Sequence, residues 1–175
     1  MSLATNSGRH SAATRDPRIL ATVLTVGMAA VVGGALAFEH IGGFIPCALC
    51  LQQRTPYYIG IPIGVLAIVA SAFRAPAIVT RGLFLVAGGL MLYGAGLGVY
   101  HSGVEWGWWE GPAACGGGGF STDAGSLLDD LNATRPPSCA DAAGRFFGLS
   151  FAGWNVIASL GLAAVALKGA FARAR

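Results

Sequence analysis

ILATVLTVGMAAVVGGALAF, residues 19–38, runs for 20 residues without an Asp, Glu, Lys, Arg or His. Three more charge-free stretches follow, residues 55–73, 82–100 and 146–167, of 19, 19 and 22 residues. The hydrocarbon core of a bilayer is ~30 Å thick and takes ~20 apolar residues as a helix. In lipid, backbone groups must find their partners inside the segment, so each span must be helical. The expected fold class is therefore all-α: an integral membrane four-helix bundle. It forms a single membrane domain over residues 1–175, with spans at about 19–38, 55–73, 82–100 and 146–167 and connecting loops at 39–54 and 101–145.

The composition points the same way. Hydrophobic residues make up 54% of the chain and charged residues 11%, against ~25% charged in a typical soluble domain. Mean hydropathy is +0.63. Eleven Lys and Arg against eight Asp and Glu do not make a basic surface for nucleic acid, so no nucleic-acid partner is expected. The 27 glycines show no collagen-like period.

The charges outside the spans are sorted by side. Arg9, Arg15, Arg18, Arg74, Arg81, Lys168, Arg173 and Arg175 fall on one side, opposed only by Asp16. Arg54, Arg135 and Arg145 fall on the other, with seven acids: Glu39, Glu105, Glu110, Asp123, Asp129, Asp130 and Asp141. The positive-inside rule places both termini in the cytoplasm and two loops outside, a short one at 39–54 and a long one at 101–145. Ala35-Leu36-Ala37 imitates a signal-peptidase site, but the run before it exceeds the ~7–15 residues of a signal core, so the first span is read as retained. Within the outer loop, Gly116–Gly119 reads as a flexible joint. Leu127, Leu128 and Leu131 give residues 121–131 helical spacing, for a short helix on the membrane surface or against the protein itself. Paired glycines such as Gly33-Gly34 and Gly88-Gly89, with Gly94, Gly96 and Gly98, are expected to let helices approach closely. Pro62 should kink the second span. Tyr57, Tyr58, Trp106, Trp108 and Trp109 read first as an interfacial aromatic belt.

All four cysteines fall on the outer side: Cys47 and Cys50 in the short loop, Cys115 and Cys139 in the long one. Outside the cytoplasmic membrane, disulfides form and persist. Cys47–Cys50 and Cys115–Cys139 are the natural pairs, although four cysteines allow three connectivities. Cys47-Ala48-Leu49-Cys50 is a C-x-x-C loop of the redox-active kind. Cys50 should lie near a helix N-terminus, where backbone N–H groups favour a thiolate. Arg54, one turn on, opposes the helix dipole and so needs a negative partner, either the Cys50 thiolate or an electron-rich ligand oxygen. Cys115–Cys139 reads equally as a structural staple or as a mobile pair meeting two partners. A zinc site built from all four cysteines lacks the second close C-x-x-C, and no metal is expected. His40 and His101 sit at outer span ends without the C-x-x-C-H of a covalently attached haem.

Pro46-Cys47-Ala48-Leu49-Cys50-Leu51-Gln52-Gln53-Arg54 at the outer end of span two resembles the disulfide bond formation protein B (DsbB) family. Tyr100-His101-Ser102-Gly103-Val104-Glu105-Trp106, Ser138-Cys139-Ala140 and Phe147-Gly148-Leu149-Ser150 extend the resemblance. The Trp-rich stretch of the long loop belongs to only part of that family.

The resemblance implies a protein-dithiol:quinone oxidoreductase of the bacterial cytoplasmic (inner) membrane, with its cysteines on the periplasmic side. The enzyme would reoxidise a periplasmic thioredoxin-fold dithiol oxidase (DsbA-like) and pass the electrons to ubiquinone or menaquinone from the membrane pool. Cys115 would form the mixed disulfide with the partner, Cys139 would exchange with Cys47, and Cys50 would contact the quinone. Arg54 matches the family's quinone-side arginine, and His101 falls where the family can carry a second quinone-side polar residue. Two rival readings remain. Proteins similar to vitamin K epoxide reductase carry their C-x-x-C on the last core helix, which does not match Cys47–Cys50. A non-enzymatic four-span scaffold would hold two structural disulfides.

Overall fold

The structure is a computed structural model that describes residues 16–112, 138–142 and 144–172. Four long helices account for most of it: α1, Pro17–His40; α2, Ala48–Ala72; α3, Ala77–Glu105; and α4, Phe151–Phe171. All four are long and apolar enough to cross a membrane. The fold is thus the all-α membrane bundle expected from the charge-free runs.

The helices do not stop where the charges begin. α1 continues through Glu39 and His40, α2 starts at Ala48 instead of Thr55, and α3 runs on through His101 and Glu105. A charge ends the lipid-soluble part of a helix, whereas only a cap or a broken hydrogen-bond ladder ends the helix itself. The caps do not coincide with the ends of the apolar runs. The Asp16 carboxylate accepts the Arg18 N–H at 2.9 Å, with Pro17 opening α1. Ser150 Oγ accepts the Gly153 N–H at 3.2 Å at the start of α4. α4 also begins later than the apolar run. Arg145–Phe146 (β1) pairs antiparallel with Leu149–Ser150 (β2), and Phe147 and Gly148 turn the corner with positive φ. The residues 121–131, with their expected surface helix, and the glycine joint at 116–119 lie outside the described residues.

α3 packs most extensively on α4, then on α2, while α1 closes against α2 and α4. The shared core contains Leu24, Met28, Phe84, Met91, Ala163 and Ala166. The expected glycine contacts form at only some positions. A Cβ on Gly98 would meet Val156 Cγ2 at 2.8 Å and the Ala152 carbonyl at 3.1 Å, and one on Gly94 would meet Ser159 Oγ at 3.3 Å. Gly33, Gly34, Gly89 and Gly96 face open space. Val26, Leu66, Val86, Leu92 and Leu160 are exposed along the helices, as a lipid-facing surface requires.

Two polar ties fix the helix order. Arg18 donates from Nε to the Ser71 carbonyl at 3.0 Å and from Nη2 to the Ala72 carbonyl at 2.7 Å. A cation on the last carbonyls of α2 matches the negative end of that helix. Tyr57 corrects the aromatic-belt expectation. It is 1% exposed, its hydroxyl donates to Asn155 Oδ1 at 2.7 Å, and it lies 2.6 Å from Ser159 Oγ. Asn155 Nδ2 in turn donates to the Gly94 carbonyl at 3.1 Å, so one buried chain ties α2, α4 and α3. Tyr58, on the next residue, is half exposed. A one-residue step turns a helix by about 100°, enough to move one tyrosine to the core and its neighbour to lipid.

Candidate active site

Cys47 is the N-cap of α2. Pro46 holds the chain extended before it, and Cys47 itself is extended (φ −75°, ψ 172°). Its Sγ accepts the backbone N–H of Cys50 at 3.4 Å and lies 3.1 Å from Cys50 Sγ. Both are free thiols. The sequence pointed to Cys50 as the sulfur favoured by the helix terminus, but the cap geometry gives that N–H to Cys47. The hydrogen bond from the Cys50 thiol, aided by His101 and by the Cys50 N–H, holds the Cys47 thiol down at about 4 against the upward push of burial. In the dithiol, Cys47 is therefore the thiolate and Cys50 carries the proton.

The two sulfurs face different surroundings. Cys47 is 3% exposed and packs in a small cluster with Leu49, Val104 and Cys139. Cys139 is fully buried and disulfide-bonded. The fold thus brings the long loop's second cysteine against the first cysteine of the C-x-x-C. Cys115 lies outside the described residues. Behind Cys47 stands His101, 2% exposed, with Nε2 at 3.7 Å from Cys47 Sγ. Its Nδ1 is 2.6 Å from Gln53 Nε2. With the amide assigned this way, Gln53 donates to Nδ1 and leaves Nε2–H facing the sulfur. Glu105, one turn on, places Oε1 at 3.8 Å from the same Nε2. Its Oε2 is buried without a hydrogen-bond partner among the described residues.

Cys50 packs against the edge of the same cluster and, unlike Cys47, also lines a cavity of about 300 Å³ between α1, α2 and α4. Phe38, Phe44, Phe151 and Trp154 form much of its wall, and Cys50, Gln53, Arg54, Glu39 and Asn155 bring polar atoms to it. Phe151 packs between Phe38 and Phe44, with ring centroids 5.0 and 5.7 Å away. Arg54 is expected to answer a thiolate or a ligand. In the structure its Nη1 donates to Glu39 Oε2 at the end of α1, so the partner that the helix dipole demands is a carboxylate. Mostly apolar walls with a few convergent polar groups are the usual make-up of a small-molecule site. Aromatic faces suit a flat ring, and the guanidinium suits an electron-rich oxygen.

Of the expected site residues, Cys47, Cys50, Arg54, His101 and Cys139 gather around the N-terminal end of α2 and the C-terminal end of α3. Cys50 and Arg54 line the cavity, whereas His101 does not and stands on the Cys47 side. Sequence reasoning missed Glu39, Gln53, Glu105 and Asn155. Glu105 carried a signal, being four residues from His101 and so on the same helical face. Gln53 carried none beyond its place in the C-x-x-C stretch.

Four apolar helices and a buried C-x-x-C with a third cysteine packed on it define a multi-pass membrane protein of the thiol redox class. The profile of the family described as "Disulfide bond formation protein DsbB" matches residues 17–169. The chain is 30% identical to "Disulfide bond formation protein B" of Saccharophagus degradans over 154 residues, covering 86% of this chain and 90% of that relative. The chain belongs to the DsbB family. No solved structure matches it.

Proposed function

We propose that this protein is the dithiol:quinone oxidoreductase of a bacterial inner membrane, with both termini in the cytoplasm and the cysteines on the periplasmic face. A reduced, DsbA-like thioredoxin-fold partner attacks Cys115 of a Cys115–Cys139 disulfide and leaves Cys139 as a thiolate. The partner's second thiol then breaks the mixed disulfide, so the partner departs oxidised. Cys139 attacks Cys47 of a Cys47–Cys50 disulfide, and Cys50 leaves as a thiolate. Cys115 re-forms its bond with Cys139, which leaves Cys47 and Cys50 reduced. Each exchange needs an accessible sulfur and a stabilised leaving thiolate.

A quinone in the Cys50 cavity supplies a two-electron, two-proton acceptor, and the Cys47–Cys50 disulfide re-forms as those electrons leave. The chain's own groups have separate tasks. Phe38, Phe44 and Phe151 exclude water from the cavity. Arg54, held by Glu39, presents positive charge where negative charge develops. His101 Nε2–H and the Cys50 N–H stabilise negative charge on Cys47.

The observation that carries this reading is the place of the C-x-x-C. Cys47 packs on Cys139 while Cys50 opens into an apolar cavity beside Arg54, so the pair sits between a disulfide relay and a lipid-soluble acceptor. The test is trapping. Cys50→Ser should hold a Cys47–Cys139 disulfide, visible as a changed linkage by mass analysis after non-reducing digestion. In that variant the Cys47 thiolate attacks Cys139 of the Cys115–Cys139 disulfide, Cys115 leaves as a thiolate, and no Cys50 is present to displace Cys139 again. Failure to find the linkage in the variant as purified would break the route.

A further inference from the structure

The C-x-x-C, His101 and Glu105 hold more ligand atoms than disulfide exchange requires. Cys47 Sγ, Cys50 Sγ and a His101 ring nitrogen lie within 4.8 Å of one another. The Cys47–His101 separation is 3.7 Å and the two sulfurs are 3.1 Å apart. A tetrahedral zinc ion with Zn–S of ~2.3 Å and Zn–N of ~2.1 Å spaces its ligand atoms by about 3.5–3.8 Å. The S–N edge already has that length, and the S–S edge needs only a rotamer adjustment. Glu105 is the second, independent observation. Its side chain is 4% exposed and its Oε2 has no hydrogen-bond partner among the described residues. A buried oxygen left in this way costs stability. Glu105 Oε1 lies 3.8 Å from His101 Nε2, on the nitrogen that also faces Cys47.

We propose that the reduced Cys47–Cys50 dithiol, with His101, is a three-ligand site for a thiophilic divalent cation, zinc above all, that Glu105 swings in from beside His101 to complete it as the fourth ligand, and that the bound cation holds the dithiol out of disulfide exchange. Gln53 on Nδ1 fixes the ring so that Nε2 is the ligand, as an outer hydrogen bond does for metal-bound histidine. For that nitrogen to bind metal, the proton moves to Nδ1 and the Gln53 amide turns its oxygen toward it. Cys47 is already a thiolate, Cys50 releases its thiol proton to solvent, no electrons move, and the carboxylate completes the set. The disulfide form offers no thiolate, so binding is confined to the reduced enzyme. The cation site stands on geometry alone, and its inhibitory effect rests on the dithiol cycle proposed above.

The experiment uses the full chain in detergent, reduced with a phosphine, with Co2+ as the spectroscopic probe and Zn2+ as competitor. A Cys115→Ser/Cys139→Ser background removes the other two thiols. One Co2+ per chain should bind with a sulfur-to-metal charge-transfer band, be displaced by Zn2+, and be absent from the oxidised protein. Glu105→Gln, which keeps the side-chain shape, should weaken binding about 10- to 100-fold, and His101→Ala by at least as much. Circular dichroism and elution volume confirm that each variant is folded. The proposal is overturned by any of three results: no charge-transfer band in the reduced chain, a band that survives Cys47→Ser/Cys50→Ser, or undiminished affinity in Glu105→Gln and His101→Ala. No quinone or partner enters this assay. Loss of turnover would leave a positive Co2+ result standing, and a negative Co2+ result would leave the electron route standing.

Discussion

Cys47 and Cys50 are one helical turn apart and share one small cluster, yet only Cys50 also reaches the cavity. Cys47 is sealed among Leu49, Val104 and Cys139, with the helix N-terminus and His101 on its sulfur. Cys50 opens into an aromatic-walled cavity whose charge is the Arg54–Glu39 pair. A disulfide that must accept electrons from one side and give them up on the other needs this asymmetry. One sulfur should be reachable by protein thiols and the other by a lipid-soluble acceptor. The difference lies in the cap. Cys47 precedes the helix and Cys50 stands in its first turn, so although the two sulfurs converge to 3.1 Å, only Cys50 reaches the cavity.

The largest test of the asymmetry is a pair of variants. Cys50→Ser should lose turnover and accumulate a Cys47-linked mixed disulfide, and Cys47→Ser should lose turnover without any such linkage to Cys139. Equal trapping by both would make the two sulfurs interchangeable.

The next test concerns pH. With Cys47 held at about 4, its alkylation in the reduced protein should hardly change between about pH 8 and pH 6. An ordinary thiol with a pKa of ~8.5 would slow roughly 100-fold over that range. The sign follows from the depressed pKa: the thiolate persists as pH falls until the folded value is approached. Cys50→Ala removes the principal donor, so the alkylation profile should move to higher pH. An unmoved profile would assign the depression elsewhere.

On the cavity side, Arg54→Ala should raise the apparent quinone KM about 10- to 100-fold, the value of a charged hydrogen bond, with Cys47 alkylation unchanged. A shift in both readouts would merge the two environments. The smallest effect is expected from Gln53→Met, which keeps volume but leaves His101 Nδ1 unpaired. It should cost about 1–2 kcal/mol in stability, read by denaturation in detergent, and it should change quinone KM less than Arg54→Ala does.

Much of the architecture could be read from charge alone, because lipid excludes ionised side chains and so leaves runs of the right length. Helix ends could not be read this way. Glu39, Arg54 and His101 bound the apolar runs without ending the helices, and the C-x-x-C, the Arg54–Glu39 pair and His101 lie in these polar extensions. The C-x-x-C and Arg54 were legible because their spacing is local. The Glu39 partner of Arg54, the Gln53–His101 contact and the packing of Cys139 on Cys47 join residues far apart in sequence, and no local period encodes them. Tyr57 was misplaced for the same reason: its hydrogen-bond partners on α4 decide its burial. Gly33-Gly34 and Gly98 look alike as small residues, but only Gly98 meets a neighbouring helix.

The most direct test of the central claim is quinone reduction by the purified full chain in detergent. A reduced DsbA-type dithiol and a water-soluble ubiquinone analogue are supplied, with Cys50→Ser as the control. Quinone loss that requires the protein, the dithiol and Cys50 is the expected result. Quinone loss that continues in Cys50→Ser, or no turnover while the intact protein's cysteines stay inert, would contradict an electron path that leaves through Cys50.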